Sequence, residues 1–297
     1  MERRNFLKVL LTTSFYLAGY KLFPDRGTLI EEVGIVKGTD YARAVRRAID
    51  LIGGIGRYVK TGNVVAIKPN MSFNSPPELK ANTDPTVVGT VVRLCYEAGA
   101  SRVYVFDRTL TSPKLSYRTS GIEAAAKKAG AKVPYVDKVS SKLYREVTVP
   151  GAELLGTTLV NRYVLDADVF INIPVAKSHS LAGLTMGMKN LMGITGDRRS
   201  RWHWQLNTAL VEINTAVKSH LTVIDATNIM VKNGPTGGSL SFLKRMDTII
   251  ASPNVVCADS EGARLFGRTP ESLPYLRLAQ DRGLGRLSGY KISKDFV

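Results

Sequence analysis

Four short apolar runs, each ending in ionisable residues, constrain the fold of this chain more than any other feature. Residues 63–67 lead into Lys68, Pro69 and Asn70, and residues 102–106 lead into Asp107, Arg108 and Thr109. Residues 169–173 lead into Pro174, Lys177, Ser178 and His179, and residues 221–224 into Asp225, Ala226, Thr227 and Asn228. Runs this short and this rich in β-branched residues read as buried strands. Helical patterns lie between them. Residues 40–51 place Ala42, Val45 and Ile49 on one helix face behind a Thr39-Asp40 cap. Residues 84–98 open with Asp84-Pro85 and close at Gly99, and residues 121–129 close at Gly130.

With further strands at 33–36 and 133–136, the first half reads β-α-β-α-β-α-β. That alternation signifies an α/β fold, a mostly parallel sheet covered by helices on both faces. Residues 138–165 interrupt it with short β-like pieces around Pro150-Gly151 and Gly156, a small β-rich excursion. The alternation resumes with helical patterns at 184–192 and 202–217, a strand at 248–251, and helices at 254–265 and 272–280. Residues 25–297 are therefore expected to form one α/β domain, or two lobes that divide near 138–165.

In an open parallel sheet the carboxyl ends of the strands share one edge, and ligands bind there. The four polar endings are thus expected to converge, so that Lys68, Asp107, Lys177, His179, Lys189 and Asp225 surround one cavity. The plain alternative is that strands end at the surface, where loops are polar.

The net charge of +16 over 297 residues favours anionic neighbours. No nucleic-acid module signature accompanies it, so no nucleic-acid partner is expected. Cys95 and Cys257 are the only two cysteines. They are too few for an iron–sulfur cluster, which takes about four thiolates, and each lies in an apolar segment where cysteine behaves as a small hydrophobe.

The N-terminus carries an address. Arg3-Arg4-Asn5-Phe6-Leu7-Lys8 followed by the apolar stretch 9–23 resembles a twin-arginine export signal, with Glu2 where Ser or Thr is usual. Residues 1–24 are therefore set apart from the fold as a signal or anchor. The resemblance implies the twin-arginine translocation machinery as a partner and an extracytoplasmic or periplasmic location. No clean cleavage site precedes Pro24, so the segment is either removed or kept as a membrane attachment. It is short beside the roughly 20 apolar residues of a full span.

Several blocks resemble an uncharacterised family, domain of unknown function three-six-two. They are Lys68-Pro69-Asn70, Thr83-Asp84-Pro85, Asp107, Asn172-Ile173-Pro174 with Lys177 and His179, and Thr185. Lys189-Asn190-Leu191-Met192-Gly193, His203, Asp225, the loop 233–238 and Asp259 complete the set. Many relatives are fused to ferredoxin-like iron–sulfur modules. The resemblance implies the α/β fold and a link to such redox systems, but no settled activity.

Lys68, Lys177 and Lys189 on one rim suit a carboxylate or phosphate, with Asn70 and Asn190 beside them. The loop carrying Gly234, Thr236, Gly237 and Gly238 can turn backbone N–H groups toward an anion, or serve simply as a tight turn. It has neither the Walker ending nor the dinucleotide pattern. His179 is the candidate acid–base group, since imidazole titrates near neutrality, and Asp107 and Asp225 are its candidate partners. A mixed metal site of His179, His203, Asp107 and Asp225 is the alternative, although three nearby lysines oppose a cation. His220 is assigned no role. The expected function is an exported protein that binds an anionic small molecule or cofactor, of unidentified cofactor type. It is either an enzyme using His179 for proton transfer or a non-enzymatic protein that handles a metal or cofactor.

Overall fold

A computed structural model describes residues 31–137 and 141–297. The signal-like residues 1–24 lie outside them. The first half is β1 (Glu32–Lys37), α1 (Tyr41–Asp50), β2 (Val64–Pro69), α2 (Pro85–Glu97), β3 (Arg102–Val105), α3 (Pro113–Thr119) and α4 (Ile122–Lys128). A hairpin follows, β4 (Tyr144–Thr148) and β5 (Thr157–Asn161), then α5 (Arg162–Leu165), β6 (Val169–Ile173), β7 (Val175–His179), β8 (Gly183–Thr185) and α6 (Gly187–Asn190). The chain continues as α7 (Leu206–Ala216), β9 (Leu221–Met230), β10 (Leu243–Ser252), α8 (Val255–Leu265), α9 (Pro274–Asp281) and β11 (Lys291–Phe296).

The main sheet has the order β11-β1-β10-β9-β6-β2-β3. Strands β9, β6, β2 and β3 run parallel to one another, and β11 is parallel to β1. Along this path β10 runs against its neighbours β1 and β9, and off it β7 pairs parallel with β9 while β8 pairs antiparallel with β7. The fold is therefore α/β with a mostly parallel sheet, covered on both faces. Chain caps follow the sequence signals: the Asp40 side chain accepts from Arg43 N–H at 3.0 Å, and the Asp84 side chain accepts from Thr86 N–H at 2.8 Å.

The period of two along each strand sorts the core into halves. Val65, Ile67, Val103, Val105, Ile171 and Val223 pack beneath α1, α2 and α4. Ala66, Phe106, Phe170 and Ile224 face the other way, against α7, α8, α9 and the segment around α6. Cys95 belongs to the first half and Cys257 to the second, so the sheet separates them and both are free thiols. Burial pushes both thiols up, Cys257 to about 12.

Several elements differ from the sequence expectation. Residues 133–136 form no strand, and this segment touches the sheet through isolated bridges, Tyr104 with Lys132 and Arg108 with Val136. The run 184–192 is a strand end, a short helix and a tighter turn rather than one helix. A 3-10 stretch, Arg199–Gln205, precedes α7. The excursion at 138–165 holds the antiparallel β4–β5 pair. Strand β9 runs on to Met230, so Asp225 lies within it instead of after it. Helix α3 and strand β11 had no clear sequence signal. Among the described residues no helix is long and apolar enough to cross a membrane.

Candidate functional site

Lys68 and Asn172 are register partners on the adjacent strands β2 and β6. Parity places both on the face covered by α6, where a hydrophobic side chain would be usual. Lys68 is 1% exposed, and its Nζ lies 2.9 Å from Asp107 Oδ1. The same Nζ donates to Pro69 O at 2.8 Å and Asn190 Oδ1 at 2.6 Å. Asp107 also accepts from Met71 N–H at 2.9 Å and from Ser72 Oγ at 2.8 Å. A buried charge needs such a full set of partners. Burial pulls the Lys68 amine down, and Asp107 opposes that shift.

Gly193 presses its backbone onto this pair. A Cβ there would collide with the Asp107 carboxylate and Lys68 Cε, so no larger residue fits without displacement. Its carbonyl accepts from Arg108 N–H at 3.1 Å.

Helix α6 spans only four residues and is held from several sides. The buried Asp259 carboxylate of α8 accepts from Gly187 N–H at 2.6 Å and Met188 N–H at 3.0 Å. Asn172 Nδ2 donates to Gly187 O at 2.9 Å, and Asn214 Nδ2 of α7 donates to Met188 O at 3.0 Å. Asn190 Nδ2 donates to Asn172 Oδ1 at 2.8 Å, closing the network back to the sheet. Burial raises Asp259 to about 7, with the two backbone N–H groups opposing.

This framework forms one wall of a cavity of about 280 Å³. Lys68, His179 and Lys189 of the expected rim line it, as do Asn70 and Asn190, expected beside the lysines. Ser72, Phe73, Thr185, Met192, Gly193, Arg199 and Pro235 line it too. Lys189 Nζ touches Met192 Sδ at 3.6 Å. Burial first, then the charges of Arg199 and Lys68, bring its amine down to about 8. Arg199 donates to the carbonyls of Arg108 and Thr109, at 3.3 Å each, and burial lowers it as well. The Asn70 Oδ1 is buried without a protein partner. His179 Nδ1 accepts from the N–H groups of Leu181 and Ala182 at 3.1 and 3.2 Å. The neutral ring therefore carries its proton on Nε2.

Four groups expected at the rim lie elsewhere, the first being Asp107, which is fully buried in its pair with Lys68 and does not line the cavity. Lys177 is fully buried behind Phe73, 4.6 Å from its ring centre, and donates to Ala81 O at 2.6 Å. Burial, then Lys189 and Lys68, hold its amine well below the ordinary lysine value. Asp225 points to the opposite face, with Val223, because β9 continues past it. There it accepts from Asp84 N–H at 2.7 Å and from Thr227 Oγ1 at 2.7 Å. Burial raises its carboxyl, and Lys80 opposes. In the glycine loop, Gly234 N–H donates to Ser178 Oγ at 3.2 Å and Pro235 reaches the cavity, whereas Thr236, Gly237 and Gly238 do not line it. Gly237 has a φ of +65° and closes a turn onto Asn233 O at 2.9 Å. The side chain of His203 lies outside the described set. Among the described residues no three His, Cys, Asp or Glu side chains meet as metal ligands.

Sequence reasoning about strand ends passed over Arg199, Phe73 and Ser72. Arg199 lies beside Arg198 and Arg201 in the sequence, a local cluster of positive charge, but Phe73 and Ser72 had no signal of their own. Asn172, Gly193 and Asp259 appeared only within the family-like blocks.

The profile of a family described as a domain of unknown function (DUF362) matches residues 65–264, which hold every side chain of this site. The chain belongs to that family. A further relative of this DUF362 protein is the thylakoid-associated protein sll1697 of Synechocystis sp., 24% identical over 269 residues, covering 86% of this chain and 81% of that protein. In structure, the DUF362 chain resembles the lactate racemase apoprotein from Thermoanaerobacterium thermosaccharolyticum. That likeness has a TM-score of 0.46 and 12% identity, and covers 78% of this chain and 56% of the other. A structural-genomics protein from Thermotoga maritima gives a TM-score of 0.44 and 11% identity, over 77% of this chain and 58% of the other. The chain thus spans little more than half the length of either solved structure.

Proposed function

We propose that the cavity between α6 and the carboxyl ends of β2 and β3 binds a small carboxylate- or phosphate-bearing molecule. The observation that carries this reading is the balance of charge. Lys68, Lys189 and Arg199 line one cavity, no carboxylate of the described residues lines it with them, and the buried Asp107 beside it is already paired with Lys68. Among the described residues no carboxylate forms an ion pair with Lys189 or Arg199, although Asp107 acts on Arg199 from a distance, and the low dielectric of a cleft strengthens their pull on an anion. Asn70 Oδ1 and His179 add polar atoms, and His179 can move a proton at its Nε2.

A metal-handling role is less well supported, since positive side chains dominate the lining. Thermal denaturation with inorganic phosphate tests the anion reading. The melting temperature should rise, by the equivalent of about 2.7 kcal/mol at about a hundred times the dissociation constant. Lys189→Gln or Arg199→Gln should shrink the rise. An unchanged melting temperature in phosphate and in small carboxylates would contradict the reading.

The same proposal places the protein outside the cytoplasm. Arg3 and Arg4 would direct it through the twin-arginine route, as a released or membrane-attached protein, and the relative named as thylakoid-associated accords with a membrane-proximal setting. Replacing both arginines with lysine should leave the protein in the cytoplasm of a twin-arginine-competent host. Undiminished export of that variant would refute the route.

A further inference from the structure

Lys189 differs from the other cations of the cavity in what its amine meets. Lys68 Nζ is taken up by Asp107, Pro69 O and Asn190 Oδ1, and Lys177 Nζ by Ala81 O. Lys189 Nζ meets the thioether of Met192, a weak acceptor, and among the described residues no carboxylate lies within ion-pair reach of it. The backbone that carries it is fixed at Gly187 and Met188, and the amine opens on space large enough for a small metabolite. Burial and two neighbouring cations keep the amine near 8, so at neutral pH the free base is roughly two orders of magnitude more abundant than for an ordinary lysine. Desolvation beside like charge is one way a lysine becomes a nucleophile.

We propose that Lys189 is a covalent nucleophile, forming an imine with a small anion that carries a ketone or aldehyde next to its charge. This rests on the anion reading above and names the substrate class. Arg199 would hold the anionic group while the Nζ lone pair attacks the carbonyl carbon. The C–N bond forms, the carbonyl electrons move to oxygen, and that oxygen takes a proton. The C–O bond of the carbinolamine then breaks and oxygen leaves as water, giving the protonated imine. The ammonium and carbonyl thus become an iminium and one water, with no oxidant or reductant. His179, on the same cavity with its proton on Nε2, can relay the proton to the departing oxygen.

Pyruvate with sodium borohydride tests this on the full-length protein, followed by peptide mass mapping. One reduced adduct should appear on the peptide containing Lys189, at least tenfold above any surface lysine, and inorganic phosphate should suppress it. Lys189→Arg keeps the charge but cannot form the imine. It should retain the phosphate-dependent rise in melting temperature and lose the adduct. Absence of adduct, or labelling spread evenly over surface lysines, with the phosphate response intact would overturn the imine and leave the anion site standing. Loss of both responses in the wild-type protein would overturn both.

Discussion

Burial, and then the charges of Arg199 and Lys68, bring the Lys189 amine to about 8, and this fixes how the cavity responds to pH. Protonating it costs the folded chain more than the unfolded one. Lys189 therefore holds stability down below about pH 8, and the deficit fades as pH rises toward the ordinary lysine value of about 10.4. The proposed anion binding would run the opposite way, because it would use the protonated amine. Inorganic sulfate, which stays a dianion throughout, should bind with nearly constant affinity below about pH 7, lose about half of it by about pH 8, and then weaken by up to about tenfold per pH unit. Arg199 keeps its charge over that range. Lys189→Arg should flatten the decline, as read by calorimetric titration at several pH values; a wild-type affinity that holds steady to pH 10 would refute the role given to this amine. Lys68 and Asp107 are poor probes by comparison. Removing one partner of a buried pair leaves an uncompensated charge and costs about 3–5 kcal/mol, so folding would fail before binding could be read.

At the scale of elements, α6 is too short to hold itself, since isolated helices need about 12–15 residues even to be marginal. Its position depends on partners in α7, α8 and β6, and Asp259 supplies the two bonds at its N-terminal end. Asp259→Ala should lower the melting temperature, each lost bond to the carboxylate being worth about 1.5–3 kcal/mol. It should also weaken phosphate binding at least tenfold, although Asp259 does not line the cavity. Asp259→Asn should fall between, because its Nδ2 cannot accept the second N–H. Phosphate affinity unaltered in a folded Asp259→Ala protein would show that α6 is placed without it. Such a dependence was not legible in the chain: the apolar spacing of 184–192 fits a helix, and nothing local reveals that Gly183–Thr185 pairs with β7 instead. Strand ends were legible where the strand stopped close to the expected residue, as β2 does at Pro69 just after Lys68 and β3 at Val105 just before Asp107. Asp225 misled because β9 runs six residues beyond Ile224 to Met230, and parity then turns its side chain to the other face.

For the whole molecule, the alternation of apolar runs and helix patterns was enough to give an α/β fold with its parallel centre, because buried parallel strands must be apolar on both faces. The outer strand β11 was not legible, since its residues Lys291–Phe296 are largely exposed and carry no apolar run. The cavity draws on chain segments more than 160 residues apart, from Lys68 to Pro235, and only the sheet order β9-β6-β2-β3 brings them together. A local motif could suggest its members but not exclude Lys177, whose neighbour Phe73 comes from another segment. The account stands on the claim that the charge left over in this cavity is there to meet an anion. Calorimetric titration of the full-length protein with inorganic phosphate at pH 7 tests that claim most directly. The account predicts one site per chain, weakened at least tenfold by Lys189→Gln and by Arg199→Gln, and unaltered by Lys244→Gln on the exposed surface. Equal affinity in all four proteins, or no binding at all, would contradict it.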